Sequence, residues 1–130
     1  MNNLKLILNN VETIAIVGAS SSPARDSYKV MKFLKDFGYR VFPVNPHLIN
    51  TTILDQECYP DLISIEERID MVDVFRAIEY IPSIVNEAIK IKAKILWTQE
   101  GLYSEEVEHL GVNAGLTVVM NQCPKKILEN

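Results

Sequence analysis

The run TIAIV at residues 13–17, followed by GASSSPARDS at residues 18–27, decides the fold. Five consecutive apolar or β-branched residues ending at a glycine suit a strand buried on both faces, as in a parallel sheet. Beyond the polar loop the pattern changes to helical spacing over residues 27–37. Val30, Leu34 and Phe37 share one face, while Lys29, Lys32, Lys35 and Asp36 are polar. Gly38 stands where a left-handed residue stops such a helix. Strand, glycine turn and helix together make the first half of a βαβ unit.

The same rhythm continues outward. Residues 39–44 read as a second strand, closed by Pro43 and the pair Asn45-Pro46, with a weaker extended segment at 57–59. Ser64-Ile65-Glu66-Glu67 has capping-box spacing and predicts a short helix. MVDVF at 71–75 and KILWT at 94–98 are core strands three and four, and LTVVM at 116–120 is the last. Between them, Pro82 opens a helix with the stripe Ile84, Val85, Ala88 and Ile89. Ser104 caps another, acidic in its first turn and stopped by Gly115. Upstream, Leu4, Ile7 and Leu8 place a short lead-in helix in residues 1–10. Alternating strands and helices imply right-handed crossovers. The expected fold is α/β: one Rossmann-like, doubly wound domain over residues 1–130, with a mainly parallel sheet of about five strands and helices on both faces.

Composition narrows the function classes. A chain of 130 residues with 48% hydrophobic and 23% charged residues is neither disordered nor fibrous. Its net charge of −4 provides no chain-wide basic field for nucleic acid or an anionic membrane. Cys58 and Cys123 are far apart, without a CxxC motif or a Cys/His cluster, so neither a disulfide scaffold nor a structural metal is expected. The apolar stretch in residues 1–10 is too short for a membrane span, and nothing marks export. A cytoplasmic protein with reduced thiols is expected.

In a doubly wound sheet the ligand lies beyond the carboxyl ends of the strands. That places the candidate site on the loops beginning at Gly18, Pro43, Phe75, Gln99 and Asn121. In the first loop Gly18 permits close backbone approach, and the serines add hydroxyls. The helix amino end offers unpaired N–H groups, Arg25 adds a full charge, and Ser27 or Asp26 is the expected cap. This chemistry suits a diphosphate. The loop has one glycine where the dinucleotide fingerprint needs three, and the second strand ends in Pro43-Val44-Asn45-Pro46 without a ribose-binding carboxylate. No P-loop motif occurs.

The stretches IAIVGAS (14–20), Arg25, SYKV (27–30), VFPVNP (41–46), VDVFR (72–76), Glu79, Ile81-Pro82, Trp97 with Gln99 and Gly101, and LTVVM with Cys123 together resemble the small, single-domain CoA-binding proteins. The resemblance runs from about residue 11 to 126. That family's fold is similar to the CoA-binding domains of the succinyl-CoA synthetase α subunit and of ADP-forming acyl-CoA synthetases. It implies coenzyme A or an acyl-CoA as ligand, with Gly18, Ala19, Ser20 and Ser21 holding phosphates and Arg25 and Ser27 completing the anion site beside Tyr28. Pro43, Val44, Asn45 and Pro46 would wall the nucleotide. Val74, Phe75 and Arg76 would contact the ligand along its length, and Gln99 with Gly101 would close the far side. Asp26, where many relatives have proline, and Glu100, where the position is often apolar, depart from the pattern.

The synthetases use a phosphorylated histidine from a further domain and nucleotide-grasp machinery, and this chain carries neither. The expectation is therefore a non-catalytic CoA-binding module with no metal. Alternatives are a small acyl-CoA-processing enzyme using Cys123 or His47, and an NAD(H)-responsive module. A homodimer through the apolar edge strand at 116–120 and a separate ligase partner are the candidate assemblies. His109 is expected to be an exposed helix residue and Trp97 a core residue. Asp73, a carboxylate inside a buried strand, is expected to cap a loop or bond the backbone.

Overall fold

A computed structural model of the chain describes residues 3–130. The lead-in helix α1 spans Asn3–Asn9, and the first two positions assigned to it lie outside the described residues. The five core strands are β1 (Thr13–Val17), β2 (Arg40–Val44), β5 (Met71–Val74), β6 (Ile95–Thr98) and β7 (Thr117–Val119). They form one sheet in the order β2-β1-β5-β6-β7, every neighbouring pair parallel. The crossover helices are α2 (Asp26–Phe37), α3 (Ile81–Lys90) and α4 (Glu105–Asn113), and α5 (Pro124–Glu129) follows the last strand. Strand order reverses at β1, where β2 lies on one side and β5 on the other. This switch point locates the cleft.

Alternation along the strands feeds two cores. Ile14, Ile16, Met71 and Trp97 pack with Leu8, Val30, Met31, Leu34 and Ile127, from α1, α2 and α5. Ala15, Val17, Val72, Val74 and Leu96 pack on the other side with Ile81, Val85, Ala88 and Val107, from α3 and α4. Trp97 is fully buried and its indole N–H donates to the Gln122 carbonyl at 2.9 Å. His109 is exposed on α4. Ser104 caps α4 as expected, its Oγ accepting from the Val107 N–H at 3.2 Å.

Four local expectations are corrected. No helix forms after Ser64. Asp61 Oδ1 accepts from both the Ser64 N–H (2.8 Å) and its hydroxyl (2.7 Å), a side-chain turn that takes the place of the capping box. Neither Ser27 nor Asp26 caps α2. The cap position is Arg25, which makes no side-chain cap bond, and Ser27 is buried in the first turn. The extended segment expected at 57–59 is divided: Glu57 lies in β4 (Gln56–Glu57), which forms a hairpin with β3 (Thr52–Ile53), and Tyr59 makes a separate parallel bridge to Val44. Asp73 caps nothing. It stands in register with Ile16 and Trp97, fully buried, and neither carboxyl oxygen has a hydrogen-bond partner.

Candidate functional site

The carboxyl ends of β2, β1, β5 and β6 open onto a cleft of about 740 Å³, lined by the first loop, the start of α2 and the loops after the other three strands. Its volume is in the range of small-molecule sites. Gly18 is its pivot. The Gly18 N–H donates to the Val44 carbonyl at 3.0 Å, and the Phe75 N–H donates to the Val17 carbonyl at 2.8 Å, tying three strand ends together. Gly18 has φ +90°, and a Cβ there would lie 2.9 Å from the Phe75 carbonyl oxygen. The chain needs glycine here for both conformation and space.

From this pivot the loop delivers Ala19, Ser20, Ser21, Arg25 and Ser27 to the cleft, with Arg25 exposed at the amino end of a twelve-residue helix. That end presents N–H groups and the positive pole of the helix dipole. Phe75 and Arg76 line the floor, Asn45 and His47 one end, and Gln99 and Glu100 the other. The Arg76 guanidinium stacks on the Tyr80 ring, 4.3 Å from its centroid. A smaller cavity of about 160 Å³ adjoins across Gly18 and Arg76, walled by Val44, Pro46, Leu62 and Ile84.

Of the sixteen positions singled out in the sequence, Gly18, Ala19, Ser20, Ser21, Arg25, Ser27, Asn45, Phe75, Arg76 and Gln99 meet in the main cleft. Val44 and Pro46 reach only the smaller cavity. The other four line neither. Tyr28 packs against the core beneath α1, α2 and α5, Val74 is fully buried in the opposite core, and the Pro43 carbonyl accepts from the Tyr59 N–H. Gly101 donates its N–H to Asn121 Oδ1 at 2.7 Å, which braces the loop.

Asn45 is a brace as well as a lining residue. Its Nδ2 donates to the Ala19 carbonyl at 2.9 Å and its Oδ1 accepts from the His47 N–H at 2.9 Å. Both ends of its amide are therefore engaged by the loops themselves. Sequence reasoning missed this, and it missed Asn121 and Thr98 as supports of the far wall. Asn121 has φ +59°, and its N–H donates to Thr98 Oγ1 at 3.2 Å. Asparagine tolerates that backbone conformation better than most residues, which is a usable signal.

The charges around the cleft are unequal. The Glu100 carboxylate is paired with Lys126 at 2.9 Å, and that hydrogen bond and charge raise the lysine's pKa. Cys123 is buried, at the N-cap of α5, and lines neither cavity. Burial pushes the Cys58 thiol up, away from a reactive thiolate. Among the described residues no cluster of three or more His, Cys, Asp or Glu side chains could hold a metal, and no helix is long and apolar enough to cross a membrane.

Compared with known proteins, residues 12–129 match the model of the CoA binding domain family. This chain belongs to that family. The uncharacterized protein YneT of Bacillus subtilis (strain 168) is 37% identical over 122 residues, 94% of this chain and 89% of YneT. The structure of a hypothetical protein from Pyrococcus horikoshii OT3 superposes with a TM-score of 0.92 at 38% identity, covering 98% of this chain and 88% of that one. The ADP-forming acetate–CoA ligase of Methanocaldococcus jannaschii is 29% identical over 89 residues. The match takes in 67% of this chain but only 12% of the ligase. The CoA binding domain thus accounts here for nearly the whole sequence, whereas in that ligase the matching segment is a small part.

Proposed function

We propose that this CoA-binding domain protein binds coenzyme A or an acyl-CoA in the 740 Å³ cleft and that the first loop holds its phosphates. The observation that carries this reading is the convergence of Gly18, the amino end of α2 and Arg25 on one side of the cleft. A diphosphate needs close backbone approach, outward N–H groups and a cation, and all three are supplied there. The adjoining cavity, apolar along Val44, Pro46, Leu62 and Ile84 and polar at Asp61, Ser83 and Glu87, has room for a further segment of the same ligand.

Binding without catalysis accords best with the side chains present. Cys123 lies outside the lining, and His47, which is exposed at the cleft, has no carboxylate hydrogen-bonded to its ring among the described residues. An NAD site is less well served, because β2 supplies Asn45 with both amide ends engaged instead of a ribose-binding carboxylate. The module would sense, store or present the cofactor, by itself or to a ligase-type partner.

The test is isothermal titration of CoA, acetyl-CoA, ADP, NAD and NADH into wild type and Arg25→Ala. CoA binds in preference to NAD, and the variant loses about 10- to 150-fold in CoA affinity, the cost of a charge-assisted hydrogen bond. A preference for NAD or NADH would transfer the protein to a redox-responsive role. Equal CoA affinity in the two proteins would remove Arg25 and the first loop from the phosphate site.

A further inference from the structure

The two edges of the sheet are finished differently. β2 forms one edge, and Pro43 within it has no N–H to offer. The Pro43 carbonyl accepts from the Tyr59 N–H and the Tyr59 carbonyl accepts from the Asn45 N–H, both at 2.9 Å, so a bridge closes this edge beside the hairpin. β2 also opens on the exposed, charged Arg40. Proline, charge and cover are the devices that keep a sheet edge from pairing with another chain.

β7 forms the other edge. It is short, at three residues, and otherwise unguarded. Residues 116–120, Leu-Thr-Val-Val-Met, contain neither charge nor proline. The Thr117 N–H donates to the Lys94 carbonyl at 2.9 Å, so Thr117 and Val119 bond inward to β6. Parity then turns the N–H and C=O of Val118 outward, with the Leu116 carbonyl and the Met120 N–H on either side. Among the described residues none of these groups has a partner within the chain.

The side chains sort by face. Leu116, Val118 and Met120 lie on the α3–α4 side, where Leu116 is buried and the other two are only partly covered. On the opposite face Thr117 is exposed and Val119 buried. α4 lies directly over the strand, since a Cβ on Gly111 would stand 2.6 Å from Val118 Cγ2. Leu110 and Val112, both exposed, stand about 100° to either side of Gly111 on the helix. α3 packs on one flank of α4, so the flank toward the open edge carries one of these apolar residues.

We infer that β7 is the interface with a second copy of this chain, paired antiparallel about a dyad at Val118. The segment complements itself, which selects a copy over another strand. Val118 and Val118 of the second copy exchange both N–H···O bonds, and at each end a Met120 N–H meets a Leu116 carbonyl. On the α4 face Val118 stands beside Val118 and Leu116 beside Met120, while on the other face Thr117 stands beside Val119. No like charges are opposed, although the chain as a whole carries −4. The dyad keeps both α4 helices on one side of a continuous sheet, flank to flank, so Leu110 or Val112 extends the apolar contact. It also turns the carboxyl ends of the two sheets, and with them the clefts, to opposite ends. Each cleft is lined by one copy alone, and the pairing is independent of what the cleft holds.

The experiment is sedimentation equilibrium over a range of concentrations, with wild type, Thr117→Lys and Val118→Pro. Thr117 is exposed, so a lysine is accommodated in the single chain but stands against Val119 across the pair. Val118→Pro removes an N–H that the chain itself does not bond, where an edge strand tolerates proline, and it deletes both central bonds of the pair. Wild type is expected to rise in mass with concentration toward twice that of the chain, and each variant to associate about tenfold more weakly or worse. Far-UV circular dichroism identifies a variant that has not folded, and the other then decides. A wild type that stays at the single-chain mass overturns the proposal. So does a folded variant that dimerises as tightly as wild type, which would move the interface off β7.

Discussion

Gly18→Ala costs the protein about 3 kcal/mol of stability, from a left-handed backbone strained by about 1–2 kcal/mol and overpacking of similar size. The added Cβ would lie 2.9 Å from the Phe75 carbonyl oxygen and 3.1 Å from its carbonyl carbon, so backbone has to move. No flexible side-chain end can absorb that contact alone. The third neighbour is Arg76 Cδ at 3.2 Å, so the displacement also passes into the cleft floor and would weaken the CoA binding proposed above. Gly38→Ala is the matched control. Gly38 also has positive φ, at +122°, but nothing lies within 4 Å of the position its Cβ would take. It carries the conformational cost without the contact. Urea unfolding of the two variants isolates the close approach as their difference, and thermal melts should show about 4 °C for each kcal/mol in a chain of this size. Equal destabilisation by both would mean that β1 and β5 can separate at little cost, and that the cleft floor is not set by this glycine.

Asp73→Val stabilises the protein, and the gain grows as the pH rises. Burial holds the Asp73 carboxyl well above the ordinary carboxylate range, so the folded chain keeps its proton where the unfolded chain has released it. The unfolded state therefore binds fewer protons between the unfolded and folded pKa values. Stability falls through that window by about 1.4 kcal/mol per pH unit. Even below it, two carboxyl oxygens without partners cost roughly 1–3 kcal/mol against a side chain of similar volume that needs none. Valine also suits a central strand. The expected record is a gain of about 1–3 kcal/mol at pH 4, a larger one at pH 7, and loss of the wild-type slope. Asp73→Asn should remove the slope while keeping an unmet polar group, separating titration from desolvation. A wild-type stability that stays level or rises from pH 4 to 7 in this comparison would show that Asp73 is charged and partnered.

Much of the architecture was legible because it is written in local periods. TIAIV, MVDVF and KILWT are short apolar runs bounded by helical or turn signals, and parallel strands buried on both faces require such runs. Ser104 and Gly38 marked their helix ends by side-chain and backbone chemistry available within one turn. What was missed had weak or competing local signals. The hairpin of β3 and β4 turns on Leu54 and Asp55, both at positive φ (52° and 66°), where glycine or asparagine would have announced it. The stretch after Ser64 has capping-box spacing, but Asp61 takes its donors first, and Leu62, Ile65 and Ile69 are buried as a loop. The six residues of α5 open on Pro124, a start signal that two following lysines obscured.

The sequence by itself determined that the chain builds a parallel α/β sheet with a glycine turn and a cation at its switch point. Those features follow from side-chain period and from residues adjacent in the chain. Only the tertiary structure decided how each polar group is used. Asn45, read as a wall for the nucleotide, has its amide engaged by Ala19 and His47. Gln99 retains an unmet acceptor at the cleft, and Asp73 lies unpartnered between Ile16 and Trp97. A hydrogen bond is decided by what stands within about 3 Å, and here those neighbours come from strands and loops distant in sequence.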